Sequence, residues 1–520
     1  MGAVLWTIGS LLALLAIFLQ YLRGNDKKLS TLPAEALAFS PKRFTNQSVR
    51  EAFERYQRAP ISVADQLPPK TGHRYIVVGG GGFLGGWIVL HLIQRGEDPK
   101  RIRILDIRPP TRKDLTTGAA QSIDFKRVDI CDAAAVLVAF QAPWADPSDQ
   151  SEITVFHTAA NIRFYERHPS LVSNSAKVNV EGTRNVIDAA CSIGAGTLIY
   201  TSSGSVCVKS SRFWLWPWQR EPDMVVQVLN DDDTRLPKRH EEFFSNYAVT
   251  KIQAESLVRA ANGRSIGTDG KTLRTGCVRP GNGIFGPGGD ILCGAYLVRK
   301  NNPTWIPNIL QSFIYVENCS LAHLCYEQRL IELSQGSTNP DISGQAFNVA
   351  DPCPPITYGD VYTTLSTLTD GETTFPLLSP TAMLLLSHLM ETYYLSRYFL
   401  VSSSSALSRF LGGLLPPLNG DIVNLQPSLF ALTMVHLIFD DSRARLPPAK
   451  GGLGYEGAWT TLEGMCKLVQ EHKRAGELLE RSLGGGVSFG FGLVKAEAGV
   501  KKVQDGVKEG LDIDAVHVLN

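Results

Sequence analysis

The chain has 520 residues, of which 44% are hydrophobic and 19% charged, so it carries enough apolar material for one to three domains with a sizeable core. Its formal net charge of +1 gives no electrostatic reason to expect nucleic acid as a partner. Nine cysteines form no C-x-x-C pair, and ten histidines show no ligand spacing, which argues against a zinc site and a dense disulfide framework.

An uncharged apolar run extends from Val4 to Leu22. As a helix it would be roughly 29 Å long, close to the thickness of a bilayer's hydrocarbon core. No basic region precedes it and no A-x-A cleavage site follows it, so a transmembrane anchor over residues 1–23 is favoured over a cleaved signal peptide. Arg23, Lys27 and Lys28 follow the run, and the positive-inside rule then places the rest of the chain in the cytosol.

Residues 24–73 are polar and rich in proline, which predicts a linker with one helix around 48–59. From Arg74 onwards, short β-type runs alternate with helical patterns: YIVVGG, WIVLHLIQRG, IRILDI, FKRVDI, TVFHTA, EGTRNVIDAACSIG and GTLIYTSS. Such alternation predicts an α/β domain with a doubly wound parallel sheet, a Rossmann fold. We expect this domain to occupy residues 74–475.

Three segments depart from the alternation. Residues 209–240 contain Trp214, Trp216 and Trp218 and read as an insertion, which either covers a ligand, dips into a membrane interface or forms a small core. Residues 377–400 are strongly apolar but include charged side chains, which favours a buried or membrane-surface helix over a second crossing. Residues 476–520 read as a C-terminal tail.

A glycine-rich turn follows the first predicted strand, and its spacing fits a dinucleotide-binding loop. Gly79 would allow the tight bend, Gly82 would let backbone approach a pyrophosphate, and Gly85 would let the helix pack on the strand. The helix beginning near Phe83 and Leu84 would offer free N–H groups to the phosphates. The alternative is a glycine-rich hairpin. No Lys-Ser/Thr pair follows the glycines, which excludes a P-loop.

Asp106 ends the next predicted strand, about twenty residues past the last glycine, where a carboxylate would accept hydrogen bonds from the adenine ribose. That position favours NAD. Arg108 could instead bind the 2′-phosphate of NADP, although the carboxylate beside it would repel that group. Asp129 ends a further predicted strand, where it faces the adenine, caps a helix or forms a salt bridge.

Tyr247 and Lys251 are four residues apart in NYAVTK, which places a phenol and an ammonium on one helix face. Alone, the pair is a weak signal, but it lies downstream of the glycine loop. Ser203 follows a buried strand upstream and could hold a substrate oxygen while Tyr247 exchanges its proton. Lowering the tyrosine pKa from 10 towards 7 would take about 4 kcal/mol, which Lys251 and a nicotinamide cation could supply.

Several stretches, in order, resemble the 3β-hydroxysteroid dehydrogenase/isomerase family of extended short-chain dehydrogenases, which includes the sterol-4α-carboxylate 3-dehydrogenases. The resemblance covers about residues 74–475. The matching stretches are VVGGGGFLGGWIV, LDIRPP, HTAA, IYTSS, NYAVTK, VRPGNGIFGPGG, FIYVENCSLAHL, AFNVAD, FDDSRARL and GLGYEGAWTTLEG.

The resemblance implies NAD(P)-dependent oxidation of a 3β-hydroxyl on a sterol or steroid-like substrate, with a smaller C-terminal region that binds this substrate. Tyr247 would be the acid/base, Lys251 would bind the nicotinamide ribose, and Ser203 would fix the hydroxyl. Residues 377–400 would associate with the membrane near the sterol entrance. The remaining cofactor contacts implied by the family are Ile130, Thr158, Ala159, Ala160 and Pro280.

A lipophilic substrate and an anchor together suggest a single-pass protein of the endoplasmic reticulum membrane, as a homodimer or part of a sterol-pathway complex. If the substrate carries a 4α-carboxylate, oxidation gives a β-keto acid that loses carbon dioxide. One alternative is an extended short-chain reductase or epimerase acting on a non-sterol substrate. Another is a non-catalytic NAD(P)-binding membrane scaffold.

Overall fold

The computed structural model of the chain describes residues 2–267 and 270–475, so the predicted tail over 476–520 lies outside the described residues. Its strands are β1 (Arg74–Val78), β2 (Ile102–Asp106), β3 (Asp124–Arg127), β4 (Ile153–His157), β5 (Thr197–Thr201), β6 (Val226–Leu229), β7 (Arg274–Pro280), β8 (Ile284–Phe285), β9 (Leu310–Gln311), β10 (Ile314–Tyr315), β11 (Ala346–Val349), β12 (Ile356–Thr357) and β13 (His436–Phe439).

The helices are α1 (Gly2–Leu29), α2 (Ala34–Phe39), α3 (Asn46–Arg58), α4 (Phe83–Gln94), α5 (Lys113–Thr116), α6 (Ala133–Gln141), α7 (Val172–Ala176), α8 (Thr183–Ser192), α9 (Asn246–Ala260), α10 (Cys293–Arg299), α11 (Val316–Ser334), α12 (Tyr358–Leu368), α13 (Pro380–Val401), α14 (Ala406–Leu414), α15 (Pro427–Thr433), α16 (Ser442–Arg445) and α17 (Thr461–Ala475).

Seven parallel strands form the main sheet in the order β11-β7-β5-β4-β1-β2-β3, which confirms the predicted doubly wound fold. The chain reverses direction across the sheet between β1 and β4, and ligands of such sheets bind at that switch point. Strand β1 shows why its sequence is a continuous apolar run. Tyr75 and Val77 enter the core on one face, while Ile76 and Val78 enter the core on the other.

A second, four-stranded sheet has the order β12-β9-β13-β6 and forms a smaller region beside the main sheet. Strand β6 comes from the insertion predicted over 209–240, and it pairs in parallel with β13 from far down the chain. Part of the insertion therefore forms the edge strand of this smaller sheet, and the rest is a loop.

Residues 24–73, expected to be a linker with one helix, contain two helices and pack against the domain. Val49, Ala52 and Tyr56 lie on one face of α3 at helical spacing and are buried. The Tyr56 hydroxyl donates to Gln470 Oε1 at 3.1 Å, which joins α3 to α17. This segment is part of the core rather than an extended tether.

Helix α1 continues to Leu29, beyond the anchor predicted over 1–23, and its last turns contact the domain. Asn25 is buried, and its amide donates to the Phe213 carbonyl at 3.1 Å and to Thr381 Oγ1 at 3.0 Å. Residues 377–400 form most of α13, as the apolar pattern predicted, and α14 folds back against it. The last turns of α1, the tryptophan-rich loop and α13 therefore lie together.

Candidate active site

The glycine loop between β1 and α4 leaves no room for a side chain at Gly79 or Gly85. Gly79 has φ of +84°, and a Cβ there would lie 2.7 Å from both Thr158 Oγ1 and the Ala159 nitrogen. A Cβ on Gly85 would lie 2.2 Å from the Gly79 carbonyl oxygen. The loop is held so tightly against the end of β4 that these two positions require glycine.

Helix α4 begins at Phe83, and its N-cap residue Gly82 makes no side-chain capping bond to the first turn. The N–H groups of that turn are therefore open to an anion at the switch point of the sheet. A bare glycine loop followed by an uncapped twelve-residue helix fits the pyrophosphate of a dinucleotide. Gly82, Phe83 and Leu84 lie where such a group would be held.

Asp106 is the last residue of β2, and its Oδ2 accepts the Gly81 N–H at 3.1 Å. The carboxylate thus stands against the glycine loop, where the adenine ribose is expected, and it supports the preference for NAD over NADP. Arg108 is exposed, and its N–H donates to Asp106 Oδ1 at 3.4 Å. Because the Arg108 side chain is exposed, binding of an NADP 2′-phosphate by this residue is still the alternative to a preference for NAD.

Asp129 lies two residues beyond the end of β3, not at the strand end that the sequence predicted. It is exposed, and its Oδ1 accepts the Cys131 N–H at 2.9 Å in a local turn. Ile130 is buried, and a Cβ on Gly182 would lie 2.6 Å from its side chain. Ile130 therefore packs beneath this edge of the cleft.

The loop after β4 closes one side of the candidate site. Thr158 Oγ1 donates to the Val78 carbonyl at 3.0 Å, and Ala159 and Ala160 follow it, half-buried, beside the glycine loop. Pro280 ends β7, and its carbonyl would lie 2.7 Å from a Cβ on Gly204. The predicted cofactor residues thus come from the carboxyl ends of neighbouring strands.

Helix α9 presents Tyr247 and Lys251 on successive turns, as their spacing predicts. Lys251 is 2% exposed, and its Nζ donates to the Thr201 carbonyl at 2.7 Å and lies 4.2 Å from the centre of the Tyr200 ring. Burial lowers the pKa of Lys251 to about 7, although Cys277 and Glu255 oppose this shift. Its amine can therefore gain or lose a proton near neutral pH.

Ser203 follows β5 and faces Tyr247. Burial raises the pKa of Tyr247 to about 12, and a hydrogen bond from the Ser203 side chain opposes that rise. The expectation that Lys251 lowers the tyrosine pKa is not met by the side chains alone, because desolvation dominates. Ser205, which the sequence did not single out, lies with its Oγ 2.7 Å from Ser203 Oγ and orients it.

Behind these groups lies a buried ionic network that sequence reasoning missed. Glu255 follows Lys251 by one more turn of α9 and pairs with Arg279 of β7 at 2.6 Å, with both side chains 0% exposed. Ser202 Oγ donates to Glu255 Oε2 at 2.6 Å, and Asp233 of the insertion accepts from Arg279 at 2.9 Å. The i, i+4, i+8 spacing of Tyr247, Lys251 and Glu255 was the available signal.

A model of the 3-beta hydroxysteroid dehydrogenase/isomerase family matches residues 76–376. The chain is 30% identical over 438 residues to 3beta-hydroxysteroid-dehydrogenase/decarboxylase isoform 2 of Arabidopsis thaliana, covering 79% of this chain and 66% of that protein. With isoform 1 of the same plant the identity is 28%, over 76% of this chain and 78% of the relative.

The sterol-4-alpha-carboxylate 3-dehydrogenase (decarboxylating) of Candida albicans is 31% identical over 291 residues, covering 54% of this chain and 70% of that protein. These matches agree with the motifs and with the fold, and they confirm the predicted resemblance. The chain belongs to the 3-beta hydroxysteroid dehydrogenase/isomerase family.

Proposed function

We propose that this protein is an NAD-dependent dehydrogenase that oxidises the 3β-hydroxyl of a sterol or steroid-like substrate to the ketone. The observation that supports this most is that Tyr247 of α9 lies against Ser203 and Lys251 of the same helix binds the Thr201 carbonyl, at the sheet edge that carries the glycine loop, in a chain of this family. The relatives named as decarboxylating dehydrogenases support a 4α-carboxylated sterol as the substrate.

Ser203 would hold the substrate oxygen, and Tyr247 would take its proton. Because burial keeps Tyr247 a neutral phenol at neutral pH, it needs a nearby positive charge to act as a base. A neutral phenol must give up its own proton before it accepts the substrate's. Lys251, whose pKa is lowered to about 7, can take up that proton as a neutral amine, and the ammonium that forms stabilises the phenolate, which then accepts the substrate's proton. NAD, when bound, would accept the hydride from C3 and bring a positive ring to this corner.

Decarboxylation needs no further catalytic residue in this scheme. Oxidation at C3 of a 4α-carboxylate gives a β-keto acid, in which the bond between C4 and the carboxylate breaks and its electron pair moves towards the ketone oxygen. Carbon dioxide leaves, and the enolate takes up a proton at C4. Ser203 and Tyr247, which bind the C3 oxygen, are placed to stabilise the charge that develops there.

The membrane part of the proposal rests on α1, α13 and α14. Among the described residues, one helix, within Val4–Phe39, is long and apolar enough to cross a membrane by length and composition. We propose a single-pass anchor in the endoplasmic reticulum membrane, with the catalytic domain in the cytosol and α13 and α14 on the membrane surface. Exposed apolar side chains supporting this placement are Trp216, Trp218, Leu389, Leu407, Phe410, Leu411 and Leu414.

The activity test uses the full chain in mild detergent, with NAD or NADP and 3β-hydroxysterols with and without a 4α-carboxylate, followed by absorbance of the reduced nicotinamide. We expect turnover of the carboxylated sterol with one carbon dioxide released per hydride transferred. Turnover of plain 3β-alcohols alone would establish a general dehydrogenase. If no 3β-hydroxysterol is turned over but a non-sterol ketone or a nucleotide sugar assayed under the same conditions is, the reductase or epimerase is favoured.

The variant Tyr247→Phe separates catalysis from mere cofactor binding. We expect turnover to fall by at least about a hundredfold while NAD affinity stays within twofold, because the phenol moves a proton and the glycine loop holds the cofactor. Unchanged turnover would reject Tyr247 as the acid/base. If the wild-type chain binds NAD but oxidises nothing, the scaffold alternative is favoured.

Topology and assembly have their own tests. Asn46 begins an N-x-S sequon, and its side chain accepts from Thr367 Oγ1 at 2.9 Å. Because we propose a cytosolic domain, we expect no glycan on Asn46 in cells. A glycan there would show that the domain faces the lumen and would contradict the proposed orientation. A homodimer or sterol-pathway complex is checked by the mass of the detergent-solubilised protein.

A further inference from the structure

Helix α13 is apolar, yet two of its polar side chains, Glu391 and Tyr394, bind the protein beside it. Glu391 accepts two hydrogen bonds from Arg167, at 2.6 and 2.7 Å. One turn further on, the Tyr394 hydroxyl donates to Glu166 Oε1 at 2.7 Å. Both partners lie in residues 163–168, which we call the strap, in the loop that follows β4.

The strap is firmly placed from its other side as well. Glu166 is 1% exposed, and its Oε1 also accepts from Arg163 and, at 3.1 Å, from the side-chain amide of Asn174. A buried carboxylate is stable only with such partners, because its desolvation must be offset. The Tyr394 hydroxyl is one of them, so α13 is part of what holds Glu166.

The backbone of the strap contacts the first turn of the catalytic helix. Asn246, 0% exposed, precedes Tyr247 directly, and its N–H donates to the Glu166 carbonyl at 2.8 Å. Its side-chain amide donates to the His168 carbonyl at 2.9 Å, and its Oδ1 lies 2.8 Å from His240 Nε2. Asn246 is thus held by hydrogen bonds to both the strap and the insertion.

One residue, Glu166, joins the two sets of contacts: its carboxylate binds α13 and its carbonyl binds the start of α9. We infer that the strap positions Tyr247 through Asn246, and that α13 holds the strap in place for catalysis. Tyr394, Glu166 and Asn246 are then positioning residues that touch no reacting atom. This inference rests on the proposed role of Tyr247 as acid/base.

The chain offers a matched pair of variants for the test. Tyr394→Phe removes the hydroxyl that binds Glu166, whereas Tyr393→Phe removes a hydroxyl that donates to the Pro416 carbonyl at 2.7 Å, on the α14 side. Both side chains are half-buried on the same helix, and both changes remove one oxygen. A general loss of α13 stability would affect the two variants alike.

We expect Tyr394→Phe to lower kcat by about fivefold to tenfold, since small misplacements of a reacting group are costly, with the KM for NAD unchanged. Tyr393→Phe should match the wild type in both constants. Asn246→Ala should lower kcat further than Tyr394→Phe. Should Tyr394→Phe fail to fold, Glu391→Gln tests the same link at the neighbouring turn of α13. Equal kcat values in Tyr393→Phe and Tyr394→Phe would overturn the inference.

Hydrogen exchange provides a readout that does not depend on activity. In Tyr394→Phe, amides of residues 246–250 should exchange several times faster than in wild type and in Tyr393→Phe. If the wild-type chain oxidises no substrate, the proposed function fails, but the exchange comparison still decides whether α13 holds the start of α9. If the amides of residues 246–250 exchange at the wild-type rate in Tyr394→Phe, that link is rejected.

Discussion

The candidate site has two halves, a cofactor half around the glycine loop and a proton-transfer half around Tyr247 and Lys251, and different parts of the chain form them. The cofactor half is a backbone structure, in which Gly79 and Gly85 approach their neighbours more closely than any side chain allows. The proton-transfer half is a side-chain structure, in which Glu255 and Arg279 form a buried ion pair and Lys251 is a buried amine whose charge is disfavoured by burial. The first should lose stability when volume is added, and the second should lose stability or turnover when a charged group is removed.

The largest effect should come from Glu255→Gln in the proton-transfer half. It leaves the Arg279 guanidinium, 0% exposed, without its main counter-charge, which typically costs about 3–5 kcal/mol in the free energy of unfolding. Urea unfolding measures the loss. Asp188→Asn is the control, because its pair with Arg264 is exposed and should matter by less than about 1 kcal/mol. Equal losses in both variants would contradict the importance of the buried network.

In the cofactor half, Gly85→Ala should cost about 3 kcal/mol of stability and most of the NAD affinity, because its Cβ meets backbone that cannot move aside. Unfolding in urea and calorimetric titration with NAD measure the two losses. Gly413→Ala in α14 is the control, since nothing lies within 4 Å of that position, and alanine there should be neutral or slightly stabilising. Wild-type NAD affinity in Gly85→Ala would refute the tight-loop model.

Lys251→Met should abolish turnover yet stabilise the fold at pH 7 by on the order of 2 kcal/mol, because it removes a buried ammonium whose pKa is lowered to about 7. Between pH 7 and about 10.5 the unfolded wild type binds more protons than the folded form, so wild-type stability rises with pH. The advantage of the variant should therefore shrink across that window. Unfolding at pH 7 and pH 9.5 checks this, and a constant advantage would mean that Lys251 is not the cause.

The smallest effect should be a shift in cofactor preference. Asp106→Asn keeps an oxygen for the Gly81 N–H but removes the charge that repels a 2′-phosphate. We expect NADP affinity relative to NAD to rise about tenfold, or roughly 1.4 kcal/mol. Asp129→Asn is the control, because this exposed carboxylate accepts from Cys131 in a local turn. A tenfold shift in both variants would point to general charge rather than to Asp106.

Local patterns predicted most of the cofactor half. The β1 run, the glycine spacing and Asp106 each report on a few consecutive residues, and a tight turn can be read from glycines alone. Asp129 was misplaced because β3 ends two residues earlier than its apolar pattern suggests. Element ends are set by pairing with neighbours, here β2, rather than by composition.

For the proton-transfer half, the sequence revealed the groups but not their environment. The Tyr247 and Lys251 spacing follows from helix geometry, whereas their pKa values depend on burial by distant segments. Asp233 lies in the predicted insertion and was not a predicted site residue, yet it completes the network around Arg279. No spacing rule connects those two residues.

The sequence by itself determined the alternation of strands and helices, the glycine loop, the Tyr-Lys pair and the apolar segments, because each is encoded in residues a few positions apart. Only the tertiary structure decided that β6 pairs with β13, that α3 joins the core, and that α13 binds the strap beside Asn246. Those contacts join residues far apart in the chain, and they form because buried apolar faces and charges must find partners once the chain collapses.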